Sequence, residues 1–388
     1  MDGRFAGTDG ERRALAAVQA RLPPGVGARV EGFVGSAPPE LVVGLLALGL
    51  LGAGALGTLH PLCAAFVGGV LLATLVGETT GLWTPVRALL PGEVSYNLVV
   101  SLPQQAPVGT LVVATPLDAP RWRQRGRAWV ARPLQLLAGA GAGMFALLVL
   151  RALADPWGTA TASLYAAALF TIAGSGLLMF LVRRRPGDGR EDGSGIAAAL
   201  TLMERLTIDP LPGVATWFVF TGCGRANQDG MRAFLEVKGR AAPRPLLVLA
   251  LVEPGAGAVR AAVSEGRLFA QGHRPTGPAL IERMRWAGVT VPEVDRAEPT
   301  DARQAMLLGH RAVALVGGDE PTSAQTTEQA VDIAETMTRW YAEDLHHVAD
   351  ERPGLEELAR ATGREAPAAR PWRWRLRRLQ GGRPGEAA

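Results

Sequence analysis

The sequence predicts an α/β protein: one mixed sheet flanked by helices and interrupted by two transmembrane helical hairpins, four membrane helices in all. Three observations lead there. Short apolar runs bounded by Gly, Pro and polar residues, such as 216–220 and 245–252, have the length and content of buried strands. Segments with helical spacing of apolar residues alternate with those runs, as when helices are laid against a sheet. Four long stretches nearly free of charge fall between them as two neighbouring pairs.

Composition agrees with a chain divided between water and lipid. Of 388 residues, 48% are hydrophobic and 20% are charged, a balance that suggests part of the chain sits in lipid. The length also accommodates two ordinary domains. Arg supplies nearly all the positive charge, since Lys238 is the only lysine, and we read that bias as genome composition. A net charge of +4 fits contact with an anionic membrane surface or with nucleic acid and is too small to choose between them. Cys63 and Cys223 are the only cysteines, so no disulfide framework is indicated. The polar, partly acidic opening residues lead us to expect no cleavable signal peptide.

Taken in order, polar residues 7–14 precede a short amphipathic helix over 15–22, and an extended segment follows at 28–34. Residues 41–59 are uncharged for 19 positions, long enough to cross a bilayer core. Residues 62–77 continue apolar after His60-Pro61 and reach that length by running past Glu78 toward Trp83. This pair is expected to form a hairpin with His60-Pro61 as its turn. The second pair is 134–150 and 160–182, joined by a turn that begins at Arg151; Gly139, Gly141 and Gly143 would let its helices approach closely. Buried helices in a soluble protein are the competing explanation, but four such segments in two pairs are hard to hide in one core.

Arginine placement sets the topology. Arg121, Arg123, Arg125, Arg127 and Arg132 precede the third segment, and Arg183, Arg184 and Arg185 close the fourth. The connecting turns hold no Lys or Arg apart from Arg151. The positive-inside rule then puts the N-terminus, the middle loop and everything after Arg183 in the cytoplasm, here of a bacterium whose plasma membrane holds the hairpins. Residues 1–37, 84–132 and 184–350 can therefore fold together, with hairpins at 38–83 and 133–183 and a basic, Trp/Arg-rich flexible tail at 351–388. In that tail Arg370, Trp372, Arg373, Trp374, Arg375, Arg377 and Arg378 interleave. Such a pattern favours the headgroup layer of an anionic membrane, at about 1 kcal/mol per basic residue. Nucleic acid is a weaker partner for the same residues, and a tail of no defined role is the third reading.

The soluble pieces continue the alternation. Residues 95–102 and 109–115 read as two strands, and 190–198 lead into an amphipathic helix ending near Leu206. Glu191 and Asp192 stand before that helix, where acids near the positive end of the dipole are common without further role. The stretch 216–235 passes from a buried strand through a Gly-rich turn into a helical pattern at Gly230. A strand feeding a turn at the edge of an α/β sheet is where such folds place their chemistry. Residues 245–252 form a further strand, 299–315 contain Asp301, and 327–345 read as a long helix.

These segments resemble, in order, motifs of the di-zinc aminopeptidases (metallopeptidase family twenty-eight). There, Gly-Thr/Ser-x-Gly-Glu-Arg opens the first helix, and residues 7–12 here read Gly-Thr-Asp-Gly-Glu-Arg. The family strand ending Ala-His-x-Asp-Ala/Ser-Pro is similar to Thr115-Pro116-Leu117-Asp118-Ala119-Pro120, so Asp118 matches the family's Asp and Pro116 stands at the first His ligand. The family's Asp-Asn/Asp-x-Ser-Gly-Val-Ala is similar to residues 190–198 and puts Glu191 at the metal-bridging position, with Asp192 beside it. In the central turn, placing Gly230 on the second Gly of the family pattern puts Gly224 and Arg225 where two glutamates belong, the general base and a ligand. Val252 falls at an Asp ligand, with Glu253 one position off, and Thr300-Asp301-Ala302 is similar to a further Asp segment. Pro321-Thr322-Ser323-Ala324-Gln325-Thr326 parallels His-Thr-x-x-Asp-Thr and puts Pro321 at the last His ligand. The resemblance covers about residues 7–34, 94–120 and 188–346.

What it implies is a fold without its chemistry. A zinc pair needs N and O donors, a bridging carboxylate and a base for the water proton. Pro116, Val252 and Pro321 have no donor to offer, Arg225 brings a positive charge, and Gly224 cannot move a proton. Asp118, Glu191, Asp192 and Glu253 as a hard-cation site would need further oxygen ligands. Cys223 as a nucleophile would need a histidine, and the spacing selects neither His273 nor His310; a buried inert cysteine is the competing reading. Arg225 paired with Glu191 is our expected substitute for the metal charge. The expectation is a catalytically inactive, membrane-anchored aminopeptidase-like protein that binds or scaffolds and needs no cofactor. Its partners would be the lipid bilayer and a peptide or protein in a vestigial pocket of Asp118, Asp192, Cys223, Glu253 and Asp301. The alternative is an active membrane-bound zinc aminopeptidase with a rearranged metal site. A transporter or channel gains little support, because the spans carry no acid or base apart from His60 at a turn.

Overall fold

Nine strands form one mixed sheet in the computed structural model, which describes residues 3–57, 59–81, 83–102, 104–120, 168, 170–177, 193–266, 271–272, 276–296, 298–318 and 320–362. The strands are β1 (Ala28–Val34), β2 (Val94–Leu102), β3 (Gly109–Pro116), β4 (Val214–Thr221), β5 (Leu246–Val252), β6 (Arg260–Glu265), β7 (Gln271–Gly272), β8 (Glu293–Arg296) and β9 (Arg311–Val316). Their order is β1-β2-β4-β3-β5-β9-β6-β7, with β8 beside β6. The four central strands β4, β3, β5 and β9 run parallel. β1 and β2 add an antiparallel flank on one side and β6 on the other. Every residue of β3 and β5 is buried, which is why β5 and the middle of β3, Leu111 to Ala114, read as unbroken apolar runs rather than alternating ones.

The described helices are α1 (Asp9–Gln19), α2 (Pro39–Gly57), α3 (Pro61–Thr80), α4 (Pro85–Leu89), α5 (Ser194–Ile208), α6 (Asp229–Phe234), α7 (Thr276–Trp286), α8 (Asp301–Leu307) and α9 (Ala324–Thr362). Side chains alternate across a strand, so Leu111 and Val113 face a core built with α1, α5, α7 and α9. Val112 and Ala114 face the opposite core, built with α6, the π-helical turn Leu235–Gly239 after it, and α8.

Several boundaries differ from expectation for local reasons. The first helix begins at Asp9, because Asp9 and Glu11 occupy its first turn and Thr8 the cap position. The last helix runs on to Thr362, past residue 351, where the polar tail was expected to start. β6, β7, β8 and α7 were not anticipated; β6 and β8 mix Arg, Glu and Asp with small residues and carry no continuous apolar signal. The basic tail residues 370–378 lie outside the described residues.

The hairpin of α2 and α3 turns at His60-Pro61 as expected, with Pro61 at the first helical position, where its missing N–H costs nothing. It makes a third apolar cluster, separate from the two sheet cores, with Phe170, Ala173 and Leu177. Small residues allow the approach: a Cβ on Gly174 would come within 2.7 Å of the Ala47 carbonyl and of Leu51 Cγ. Outward-facing Leu41, Leu45, Leu48, Phe66, Val70 and Ile172 are exposed. Among the described residues one helical stretch, Cys63–Thr80, is long and apolar enough to cross a membrane, and Leu41–Leu56 is a shorter apolar stretch. The third predicted segment, with Gly139, Gly141 and Gly143, lies outside the described residues, as does most of the fourth.

Candidate functional site

Parallel strands that end together bring their following loops to one edge. Here Pro116 of β3 lies beside Thr221 of β4, and Val252 of β5 beside Val316 of β9. The loop after β5 is held to its neighbours: Gly255 N–H donates to Ser194 Oγ at 3.0 Å, and Ala256 bridges to Thr322. Three of the four non-glycine residues with positive φ among the described residues lie in these loops, Cys223 (φ 50°), Gln228 (φ 58°) and Glu253 (φ 50°). Such conformations persist only where surrounding contacts fix them.

The turn after β4 is fixed by carboxylates and an amide buried beneath it. Asp118, wholly buried, accepts the Arg225 backbone N–H at 2.9 Å on Oδ1 and the Ala226 N–H at 3.1 Å on Oδ2. Glu11 accepts the Cys223 N–H at 2.8 Å on Oε1, and on Oε2 the Ser95 hydroxyl at 2.8 Å and the Gly7 N–H at 2.9 Å. Asn97 accepts the Gly222 N–H at 3.0 Å and donates to the Gly230 carbonyl at 2.8 Å. Burial first, then the nearby Glu11 charge, push the Asp118 carboxyl up to about 7, against the pull of the two backbone N–H groups and the Arg225 charge.

Gly224 has no space for a side chain. A Cβ there would stand 2.6 Å from Thr221 Oγ1 and 2.9 Å from Pro116 Cβ. The Arg225 side chain is 5% exposed and reaches Glu253 Oε1 at 3.3 Å and Glu298 Oε2 at 3.6 Å. Glu298 also faces Arg296 at 3.7 Å. Burial, reinforced by the Arg225 charge, lowers the affinity of the Arg296 guanidinium for its proton. Asp301 opens α8 and accepts the Thr221 hydroxyl at 2.8 Å on Oδ2, while its Oδ1 has no hydrogen-bond partner among the described residues. Burial pushes its carboxyl up to about 7, and the Thr221 bond only partly offsets that. Glu265, also wholly buried, accepts both the N–H and the hydroxyl of Thr300 at 2.7 Å.

Cys223 is buried beneath the same turn. Burial and the charges of Asp118, Glu11 and Asp229 all push its thiol above the usual range, and only the contact with Ser95 opposes them. Its surroundings are the reverse of those that make a thiolate. His273 lies outside the described residues.

Of the residues singled out in the sequence, Asp118, Cys223, Gly224, Arg225, Glu253 and Asp301 meet at this edge. Pro116 and Val252 are the buried ends of their strands, and Pro321 is exposed beside Thr322. Glu191 and Asp192, and with them the expected Arg225–Glu191 pair, lie outside the described residues; the described partners of Arg225 are Glu253 and Glu298. Sequence reasoning missed Glu11, Asn97, Glu265, Arg296 and Glu298 as members of the cluster. Glu11 had a signal, its place in Gly-Thr-Asp-Gly-Glu-Arg; the others had none.

The Arg225 guanidinium lies among the acids of this edge, and no group of three His, Cys, Asp or Glu among the described residues converges as a metal site.

No protein-family model matches the chain, and no curated protein matches it. Solved structures do resemble it in chain path. A zinc aminopeptidase from Bacillus subtilis aligns at 11% identity over 87% of this chain and 90% of its own, with a TM-score of 0.46. An aminopeptidase from Aneurinibacillus sp. strain AM-1 aligns at 12% identity over 87% and 90%, with a TM-score of 0.46. A Zn-dependent exopeptidase from Parabacteroides distasonis aligns at 9% identity over 88% and 92%, with a TM-score of 0.45.

Proposed function

We propose that this chain is a membrane-anchored, non-catalytic protein with an aminopeptidase-like sheet, acting by binding or scaffolding. The observation that carries the reading is the use made of the sheet edge. Asp118 spends its oxygens on the backbone of Arg225 and Ala226, and the Arg225 guanidinium lies between Glu253 and Glu298. The acids at this edge are engaged with backbone N–H groups and with a fixed internal cation, and position 224 offers no room for a base. The bilayer is proposed as one partner because the outer faces of α2 and α3 are apolar and exposed. The other is a peptide or protein at the edge marked by Asp118, Glu253 and Asp301. Arginine placement supports a domain on the cytoplasmic side of the plasma membrane.

The test uses the full chain purified in detergent. Metal analysis should find no stoichiometric zinc, and an aminopeptidase assay with added zinc should find no turnover. Stoichiometric zinc together with turnover overturns the reading in favour of an active enzyme with a rearranged site.

A further inference from the structure

Both ends of the α2–α3 hairpin are fastened to the elements that build the candidate site. Where the chain leaves β1 for α2, Ser36 donates its backbone N–H to Asp229 Oδ2 at 2.7 Å and its hydroxyl to Asp229 Oδ1 at 2.8 Å. The next carbonyl, that of wholly buried Ala37, accepts from Asn227 Nδ2 at 3.0 Å. At the far end α3 finishes at Thr80, whose carbonyl accepts from the Arg303 guanidinium of α8. Leu307 of the same helix packs against Gly81, at 3.4 Å from where a Cβ would stand.

The two fastening elements are themselves joined. Gln228 donates to the Pro299 carbonyl at 3.3 Å, just ahead of α8, and Thr221 donates to Asp301. Behind them Asn97, Glu11 and Asp118 hold the turn in place. A flexible tether between a domain and its anchor needs no such bonds. Bonds to a carboxylate or a guanidinium are the stronger kind, and here they sit at both ends of one hairpin.

We propose that residues 222–229, with Arg303, form a clasp that locks the hairpin onto the sheet edge, so that hairpin and candidate site are one rigid unit. The edge thereby has a mechanical role that needs neither metal nor turnover. The clasp stands on its own bonds, so it fails or survives separately from the non-catalytic reading.

The test is a spin-label distance measurement on the full chain in lipid nanodiscs. Native Cys63 is exposed in the first turn of α3, about 25 Å along the helix from Thr80. Glu236→Cys supplies the second label on the soluble side, and buried Cys223 stays unlabelled. The parent should give one narrow distance distribution. In Ser36→Ala/Asn227→Ala, and in Arg303→Ala, its width should at least double. Ser36→Ala alone leaves every loop residue in place; should the double variant not fold, its broadening carries the test. Arg283→Ala, which removes a surface pair with Glu343 and Asp344, should leave the width unchanged. Parental width in the clasp variants, or equal broadening in Arg283→Ala, overturns the proposal.

Discussion

Asp118 holds Arg225 by its backbone: the carboxylate accepts the Arg225 N–H at 2.9 and 3.1 Å, while the guanidinium turns to Glu253. One residue is thus gripped twice, by two acids on different strand ends. Removing the guanidinium by Arg225→Ala leaves Glu253 and Glu298 facing each other with less compensation. Both acids are partly screened, so the expected loss is about 2–4 kcal/mol rather than the top of the range for buried pairs. Chemical denaturation reads it as a lower midpoint with an unchanged slope. Arg225→Lys should recover only part, since an ammonium cannot serve two carboxylates in a fork. An unchanged midpoint in Arg225→Ala would contradict the ion-pair account.

Gly224 sets a steric limit that can be tested with one methyl group. Thr221 Oγ1 and Pro116 Cβ lie 2.6 and 2.9 Å from the place a Cβ would take. Both belong to strand ends that cannot retreat without breaking the β3–β4 register. Gly224→Ala should therefore cost about 1–3 kcal/mol, measured by the same denaturation. Gly224→Glu should cost more and should not produce peptide hydrolysis. Turnover in that variant would show that the position is roomier than its neighbours allow.

The sheet was legible because its central strands are buried on both faces, so residues such as Leu111, Val112, Val113 and Ala114 are apolar without exception. The α2–α3 hairpin was legible for a similar reason, in the length of its apolar runs. The site was less so. Asp118, Arg225 and Glu253 could be placed at one edge from strand ends and turns, but their partners come from α1, β2 and the segment after β8. A carboxylate such as Glu11 or Glu265 looks solvated in sequence and becomes a core residue only when distant backbone N–H groups arrive to satisfy it. For the same reason the pairing of Arg225 with Glu253 and Glu298 could be found only in the folded chain.

Acid should stabilise the sheet and the helices packed on it. Asp118 and Asp301 titrate at about 7 when folded, against 3.8 for an unperturbed Asp. Between those values the folded chain binds more protons than the unfolded one, so stability falls as pH rises. Their contribution is fully present below the unfolded value and is lost as pH climbs through about 7. Unfolding free energies from denaturation should be higher near about pH 5 than near about pH 8, by an amount on the order of a few kcal/mol. Asp301→Asn should flatten that dependence. A midpoint that rises steadily with pH in the parent would contradict the raised values.

Thiol labelling separates the two cysteines. Cys63 is exposed on α3, whereas Cys223 lies under a turn ringed by Glu11, Asp118 and Asp229. Neutral pH leaves such a thiol protonated, and only the thiolate reacts. Folded protein should take up one equivalent of iodoacetamide, at Cys63, as read by peptide mass spectrometry. A second equivalent should follow only on unfolding. Rapid modification of Cys223 in the folded chain would reopen the nucleophile reading.

Two glycines allow the hairpin's packing to be separated from its mere apolarity. A Cβ on Gly174 would press into the Ala47 carbonyl and Leu51, whereas one on Gly52 of α2 would meet no atom within 4 Å. Both substitutions to Val add the same apolar bulk and remove the same backbone freedom. If close approach holds residues 170–177 against α2, Gly174→Val should cost roughly 1–3 kcal/mol of local stability, and Gly52→Val far less. Hydrogen exchange in detergent reads this directly: amides of α2 and α3 should exchange faster in Gly174→Val only. The amides of β3 and β5 should be unaffected in both, because the hairpin cluster shares no residue with the two sheet cores. Equal effects of the two variants would mean that these helices associate through general apolar contact and not through the small-residue fit.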